Sequence, residues 1–325
     1  MIIYNKAESL PQIDEFVAME RSRLTPAEAL RYNAYRLRYE ANPVYHALDH
    51  FPPNLQIEPT SVCNYRCTFC YQTDETFTDK ANGHMGLMKL DLFKKIIDEA
   101  EGKCEAVNLA SRGEPLLHPQ IADFLAYANN KFLALKLNTN GWFLDERLCH
   151  AILSTNMNTL VISADAASEP TYSQLRVGGT FLRIMQNVRR FRAMQRRDYP
   201  TNRTLLRISG VKVPGTPELK VMDEVWGEIA DQVCFVNYLP WENTYDRPIN
   251  DIDIACSDLW RRMFVWFDGT VNPCDVDFQS HLAVGKFPDQ TLSDLWLGQK
   301  YTMLRTMHLQ GQRHDCGPCN RCTVI

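Results

Sequence analysis

Three cysteines stand close enough together to share one metal centre. Cys63, Cys67 and Cys70 fall in the run Cys63-Asn64-Tyr65-Arg66-Cys67-Thr68-Phe69-Cys70, a C-x3-C-x2-C spacing. Thiolates at this density hold iron–sulfur clusters or zinc. Four cysteines would close an iron–sulfur cubane completely, yet the next cysteine is Cys104. Three ligands leave one iron open, which is what a catalytic metal site requires. A zinc site is the competing reading; it needs a fourth local ligand, and His84 is the nearby candidate.

A second group, Cys256, Cys274, Cys316, Cys319 and Cys322, lies near the end of the chain. Asp268-Gly269 is a hairpin signal that brings Cys256 and Cys274 together. Five thiols exceed by one the set that closes a cubane or a four-cysteine zinc site. Cys149 sits among Leu148, Ile152 and Leu153 as a core residue, and Cys104 and Cys234 fall at the starts of strands, also as structural thiols.

The first residues lack the basic, apolar and cleavage regions of a signal peptide, and the sequence has no apolar run of about 18 residues. A cytoplasmic protein is expected, whose eleven cysteines serve metal or redox chemistry rather than disulfides. Lys plus Arg number 35 against 39 Asp plus Glu, a net charge of -4, which supports neither a nucleic-acid nor a membrane partner. The basic stretch from Arg189 to Arg197 reads as the solvated face of a helix.

These residues need a scaffold, and the hydrophobic pattern supplies one. Residues 1–53 read as a helical extension, with a start signal at Thr25-Pro26 and a break at Phe51-Pro52-Pro53. Short strands at Leu55–Glu58, Ala106–Leu109, Ala134–Asn138, Thr159–Ser163, Leu205–Val213 and Gln232–Tyr238 then alternate with helices. That alternation predicts a parallel α/β sheet curved into a partial (β/α)6 TIM-like barrel over 54–250. Beyond residue 250, Cys, Gly and Pro become frequent and strands shorten, so 251–325 is expected to form a separate C-terminal unit.

The C-x3-C-x2-C loop after strand one, with aromatic Phe69 before its last cysteine, resembles the motif of the radical S-adenosylmethionine (SAM) superfamily. That resemblance implies that Cys63, Cys67 and Cys70 hold a [4Fe–4S] cluster whose open iron is chelated by SAM. Further segments are similar to the family in chain order. Gly113-Glu114-Pro115 resembles the segment that binds the cofactor's amino group, with Arg112 in place of a more usual glycine. Asn138-Thr139-Asn140-Gly141 looks like the ribose-contacting turn. Ser163-Ala164-Asp165 and Arg176 look like the serine and the carboxylate-pairing arginine, and Gly210 to Val213 like the stretch lining the adenine. All fall at the C-terminal ends of strands, where barrel active sites are built. The tail resembles the auxiliary-cluster region called SPASM, or its shorter twitch form. One auxiliary [4Fe–4S] cluster is implied, held by Cys256, Cys274, Cys319 and Cys322. Cys316 is left as an alternative ligand, a structural thiol or a hydrogen-atom donor.

The family resemblance implies a radical that removes a substrate hydrogen. The expected outcome is dehydrogenation or epimerisation of a sugar, aminosugar or nucleotide-linked sugar. Peptide maturases often carry a winged-helix module, whereas the residues before strand one read as helix. Modification of a ribosomally made peptide is the alternative, and a structural or electron-transfer iron–sulfur or zinc protein is the alternative of another class. The implied partners are a small substrate and an electron donor such as flavodoxin or ferredoxin. Residues Tyr238 to Tyr245, with Trp241 and Glu242, are expected to cap the barrel mouth.

Overall fold

The computed structural model describes residues 13–155 and 157–325; the first twelve residues of the expected N-terminal extension lie outside the described residues. Helices Ile13–Ser22 and Pro26–Tyr45 come first. The second starts where predicted. Thr25 accepts a hydrogen bond from the Glu28 N–H, and the Glu28 carboxylate accepts from the Thr25 N–H, a reciprocal cap with Pro26 in the first turn.

Eleven strands follow among the described residues: β1 (Asn54–Ile57), β2 (Arg66–Cys67), β3 (Ala106–Leu109), β4 (Ala134–Thr139), β5 (Thr159–Ser163), β6 (Arg176–Val177), β7 (Leu205–Lys212), β8 (Gln232–Asn237), β9 (Arg262–Val265), β10 (Thr270–Asn272) and β11 (Gly285–Lys286). Nine form one sheet in the order β11-β10-β9-β1-β3-β4-β5-β7-β8. From β9 to β8 all neighbours are parallel. Crossover helices Leu90–Ala100, Ile121–Ala128, Glu146–Leu153, Phe181–Asp198 and Leu219–Trp226 connect the predicted strands. The six strands expected from the sequence are all present, in an α/β partial barrel.

Register explains which face does what. Ile57, Leu109, Leu137, Leu160 and Leu206 lie side by side across five strands, and all are buried. Successive strand residues point to opposite faces, so Gln56, Asn108, Asn138, Val161 and Ser209 fall on the other face, and these five line a central cavity. The apolar row packs among the helices while the mostly polar row faces the cavity.

The sheet also runs through the position where the sequence changes rhythm. β9 pairs in register with β1, Asn54 opposite Arg262 and Ile57 opposite Val265. Its four residues are all buried, and β10 folds back on it through the expected turn, with Gly269 at φ 89°. The run Met263-Phe264-Val265 is apolar enough for a central strand, but it is too short to stand out among turn residues.

The N-terminal helices close the opposite end of the barrel. Tyr32, Tyr35 and Tyr39 pack against Ala106 and Ala134, the first residues of β3 and β4. Buried Glu20 accepts hydrogen bonds from Tyr32 Oη (2.6 Å), Lys136 Nζ (2.8 Å) and Arg207 Nη2 (3.0 Å). Burial alone would raise its pKa, but the charges of Lys136 and Arg207 and these hydrogen bonds overcome that and hold it at about 2. The folded-state pKa therefore lies below the unfolded one. The stabilisation is fully present above about pH 4.5 and is lost as the pH falls towards 2. A Glu20→Gln variant is expected to lose about 3 kcal/mol at pH 7, because it leaves two cations unpaired. In urea titrations the gap from wild type should narrow below about pH 4.5; a gap independent of pH would contradict this account.

Candidate active site

The cavity opens at the C-terminal ends of the parallel strands and has a volume of about 320 Å³. Cys63, Cys67 and Cys70 lie in its wall, on the loop after β1, together with Phe69. β2 and β6 fix this loop by pairing Cys67 with Arg176. The Arg176 guanidinium donates to Cys67 Sγ at 3.7 Å and lies 5.5 Å from the Phe69 ring centroid. Asp165, fully buried, forms an ion pair with Arg176 and accepts from the Val211 N–H at 2.5 Å. Asp165 is absent from the cavity wall and acts by holding Arg176.

Burial pushes the Cys63 thiol up to about 12, and burial likewise raises those of Cys67 and Cys70. Three protonated thiols facing a polar cavity have little structural purpose. Bound iron supplies the positive charge that makes such thiols ligands. The donor set fits an iron–sulfur cluster.

Gly113 and Glu114 build the adjacent wall. A Cβ on Gly113 would lie 2.3 Å from the Thr60 carbonyl oxygen, so only glycine lets this segment lie against the loop after β1. Glu114 is buried and accepts from Thr139 Oγ1 (2.5 Å), the Asn140 N–H (2.7 Å) and the Leu116 N–H (2.9 Å). It thereby ties the β3 loop to the end of β4. Burial raises its pKa and these donors oppose the rise. Asn140 Nδ2 in turn donates to Asn64 Oδ1 within the cysteine loop at 2.9 Å. Asn138, Ser163, Gly210 and Val211 complete the expected lining.

Val213 is placed differently from the rest of that stretch. Its side chain is buried, but it is not in the cavity wall; β7 ends at Lys212, and the Val213 N–H turns back to the Val211 carbonyl at 2.9 Å. The alternation that places Ser209 and Val211 inward stops one residue short of it.

Several wall residues went unassigned in the sequence. Arg112, noted there as a departure, pairs with buried Glu58 through two N–H···O contacts of 2.7 Å. It also donates to the Phe278 carbonyl at 2.8 Å and lies 4.2 Å from the Trp266 ring centroid. Ser111, beside it, has φ 147°, a conformation L residues rarely adopt, and Tyr71 Oη donates to its carbonyl at 2.7 Å. Trp241 lines the cavity as the expected cap. The remaining carboxylate is Asp275, whose only sequence signal is that it follows Cys274.

Behind this wall lies a smaller space lined by Cys256, Cys274, Cys319 and Cys322, among other residues. Arg313, fully buried, donates to the carbonyls of Cys319 (3.1 Å), Ile254 (2.9 Å) and Cys322 (2.8 Å), and so shapes the tail around it. Cys316 does not line this space or the main cavity. It is buried beside His308 and Cys319. Residues 274 and 275 thus stand between the two spaces, Cys274 facing one and Asp275 the other.

Comparison with known proteins agrees with this geometry. The model of the radical SAM superfamily matches residues 57–212, and that of an iron–sulfur cluster-binding domain, SPASM, matches 256–323. The chain is 28% identical over 330 residues to the tungsten-containing aldehyde ferredoxin oxidoreductase cofactor-modifying protein of Pyrococcus furiosus, covering 83% of this chain and 89% of that one. It is 33% identical over 121 residues to an S-adenosylmethionine-dependent nucleotide dehydratase of Selenomonas ruminantium, 36% of this chain and 40% of that one. In fold it is similar to BtrN in complex with AdoMet and 2-DOIA, with a TM-score of 0.58 at 19% identity over 85% of this chain and 94% of that one. It is also similar to Streptococcus suis SuiB bound to its precursor peptide SuiA, with a TM-score of 0.60 at 17% identity over 92% and 76%. A three-cysteine loop at the strand ends, a walled cavity and a second cysteine group behind it therefore have one common explanation: the chain belongs to the radical SAM superfamily, uses S-adenosylmethionine with a [4Fe–4S] cluster, and carries a C-terminal SPASM domain for auxiliary iron–sulfur.

Proposed function

We propose that the protein dehydrogenates a hydroxyl-bearing small molecule of the sugar, aminosugar or nucleotide-linked sugar class. The position of Asp275, a carboxylate on the substrate side of the wall whose neighbour Cys274 faces the rear space, carries this reading. When bound, SAM and its cluster supply a 5'-deoxyadenosyl radical that takes a hydrogen atom from a carbinol carbon, and an auxiliary cluster supplies the acceptor for the second electron. Cys63, Cys67 and Cys70 hold the first cluster, and Cys256, Cys274, Cys319 and Cys322 the second. Asp275 takes the hydroxyl proton, so that loss of a hydrogen atom, a proton and an electron leaves a carbonyl. Arg176 holds the cysteine loop, and Glu114 holds the turn carrying Asn138 and Asn140.

The lining supports a polyhydroxylated substrate. Asn108 Oδ1, Ser111 Oγ and Trp241 Nε1 are buried and have no hydrogen-bond partner, and their residues line the cavity. Buried polar atoms are normally paired, so this set calls for a polar ligand with several donors and acceptors. An indole face suits a sugar ring. Relatives matched over part of the chain include a dTDP-4-amino-4,6-dideoxy-D-glucose ammonia-lyase and a 2-deoxy-scyllo-inosamine dehydrogenase. Epimerisation needs a thiol in the cavity to return hydrogen. The thiols lining it are Cys63, Cys67 and Cys70, with Cys316 elsewhere.

Two experiments test this. Anaerobically reconstituted protein should contain about eight irons and release 5'-deoxyadenosine from SAM on dithionite reduction. Cys67→Ala should abolish the release. Cys256→Ala should keep it while retaining only about four irons; iron unchanged in that variant would contradict the assigned tail ligands. With dTDP-hexoses and aminocyclitols in deuterated water, the oxidised product should carry no solvent deuterium. Asp275→Asn should lower its yield about 100-fold while 5'-deoxyadenosine still forms. Deuterium at the reacting carbon would replace dehydrogenation by epimerisation, and turnover confined to peptides would replace the substrate class.

A further inference from the structure

A second cavity, of about 630 Å³, lies outside the barrel mouth, between the turn after β4 and the helix Phe181–Asp198. Three cations, Arg147, Arg183 and Arg190, stand around the rings of Trp142 and Phe143. The one carboxylate in its lining, Asp145, is engaged in capping the next helix, accepting from the Leu148 N–H at 2.8 Å. The groove is therefore positive on a chain whose net charge is -4. Arg183 and Arg147 are exposed, and the Arg183 guanidinium lies 3.8 Å from the Trp142 ring centroid.

What lies behind Trp142 gives the groove a purpose. Its ring meets that of Tyr65 edge to face, 5.8 Å between centroids. Tyr65 is buried inside the cysteine loop, and its N–H donates to Cys63 Sγ at 3.5 Å. A parallel route of hydrogen bonds runs from the Trp142 N–H to Asn140 Oδ1 (2.9 Å) and from Asn140 Nδ2 to Asn64 Oδ1 (2.9 Å). The cationic surface and the cysteine loop are thus joined by one layer of packed side chains. The main cavity serves cofactor and substrate, so a macromolecular reductant needs another face of that loop.

We propose that this groove is the docking surface of an acidic, low-potential one-electron carrier of the flavodoxin or ferredoxin kind. It delivers its electron past Trp142 and Tyr65 to the cluster held by Cys63, Cys67 and Cys70. The inference rests on that cluster assignment. One electron leaves the reduced carrier and one enters the oxidised cluster; no bond is made or broken. Charge complementarity steers the encounter, so binding weakens as salt is added. Arg183 and Arg190 on this helix, with Arg147 on the helix Glu146–Leu153, thereby acquire a role, although the basic stretch from Arg189 to Arg197 reads as a solvated face.

The test is calorimetric titration of the reconstituted holoenzyme with oxidised flavodoxin at low salt, beside 5'-deoxyadenosine release driven by reduced flavodoxin or by dithionite. The double variant R147E/R183E should bind flavodoxin about tenfold more weakly or worse. Its flavodoxin-driven release should fall while dithionite-driven release stays at the wild-type level. R197E, at the far end of the same helix, should behave as wild type in all three. Unchanged flavodoxin affinity in the double variant, or equal weakening in R197E, overturns the proposal. Loss of dithionite-driven release in wild type itself counts against the cluster assignment instead, and the titration still decides the docking surface.

Discussion

Glu58, at the end of the first strand, and Arg112, two residues before Glu114, face each other as a fully buried ion pair. Taking both charges out of water costs more than their attraction readily returns, and only well-aligned contacts with every remaining donor satisfied make the arrangement tolerable. Here the alignment is good, and a third guanidinium donor is used by the Phe278 carbonyl. The backbone N–H of Phe267 also reaches Glu58, at 3.2 Å. One charge pair therefore joins the strand before the cysteine loop, the Gly113-Glu114 segment and the C-terminal hairpin. Its contribution is geometric more than energetic: none of the three can shift without unpairing a buried charge.

That constraint accounts for the division of labour around the cavity. Two side chains that resemble the family's cofactor contacts also hold neighbouring groups. Asp165 fixes Arg176, and Glu114 fixes Thr139 and Asn140. Residues facing the cavity with unused hydrogen-bonding capacity, among them Asn108, Ser111 and Trp241, belong to different strands and loops. A cavity organised in this way presents fixed dipoles rather than mobile side chains to whatever binds there.

Much of this was legible in the residues themselves. The alternation in Leu55-Gln56-Ile57, Val107-Asn108-Leu109 and Leu135-Lys136-Leu137-Asn138 announces strands with one apolar and one polar face, and the cysteine spacing announces an open metal site. Illegible were the facts that depend on distant pairing. Nothing local in Arg262-Met263-Phe264-Val265 says that it lies beside β1. Nothing around Arg313 says that its guanidinium gathers three carbonyls of the tail. Val213 lies just past the end of β7, and a pattern of alternation does not reveal where a strand stops.

The pairing of β9 with β1 also bears on how the molecule comes into being. During synthesis, residues 54–57 emerge early and residues 262–265 late, so one edge of the parallel sheet stays without its neighbour while most of the chain is made. An unpaired apolar edge is an invitation to other strands, and long-range pairings of this kind form slowly. The helices before β1 reach the same late strand, since Tyr39 Oη accepts from Arg262 Nε at 2.8 Å. The strand that leads into the loop carrying Cys63, Cys67 and Cys70 thus gains its second neighbour only once the C-terminal region has arrived.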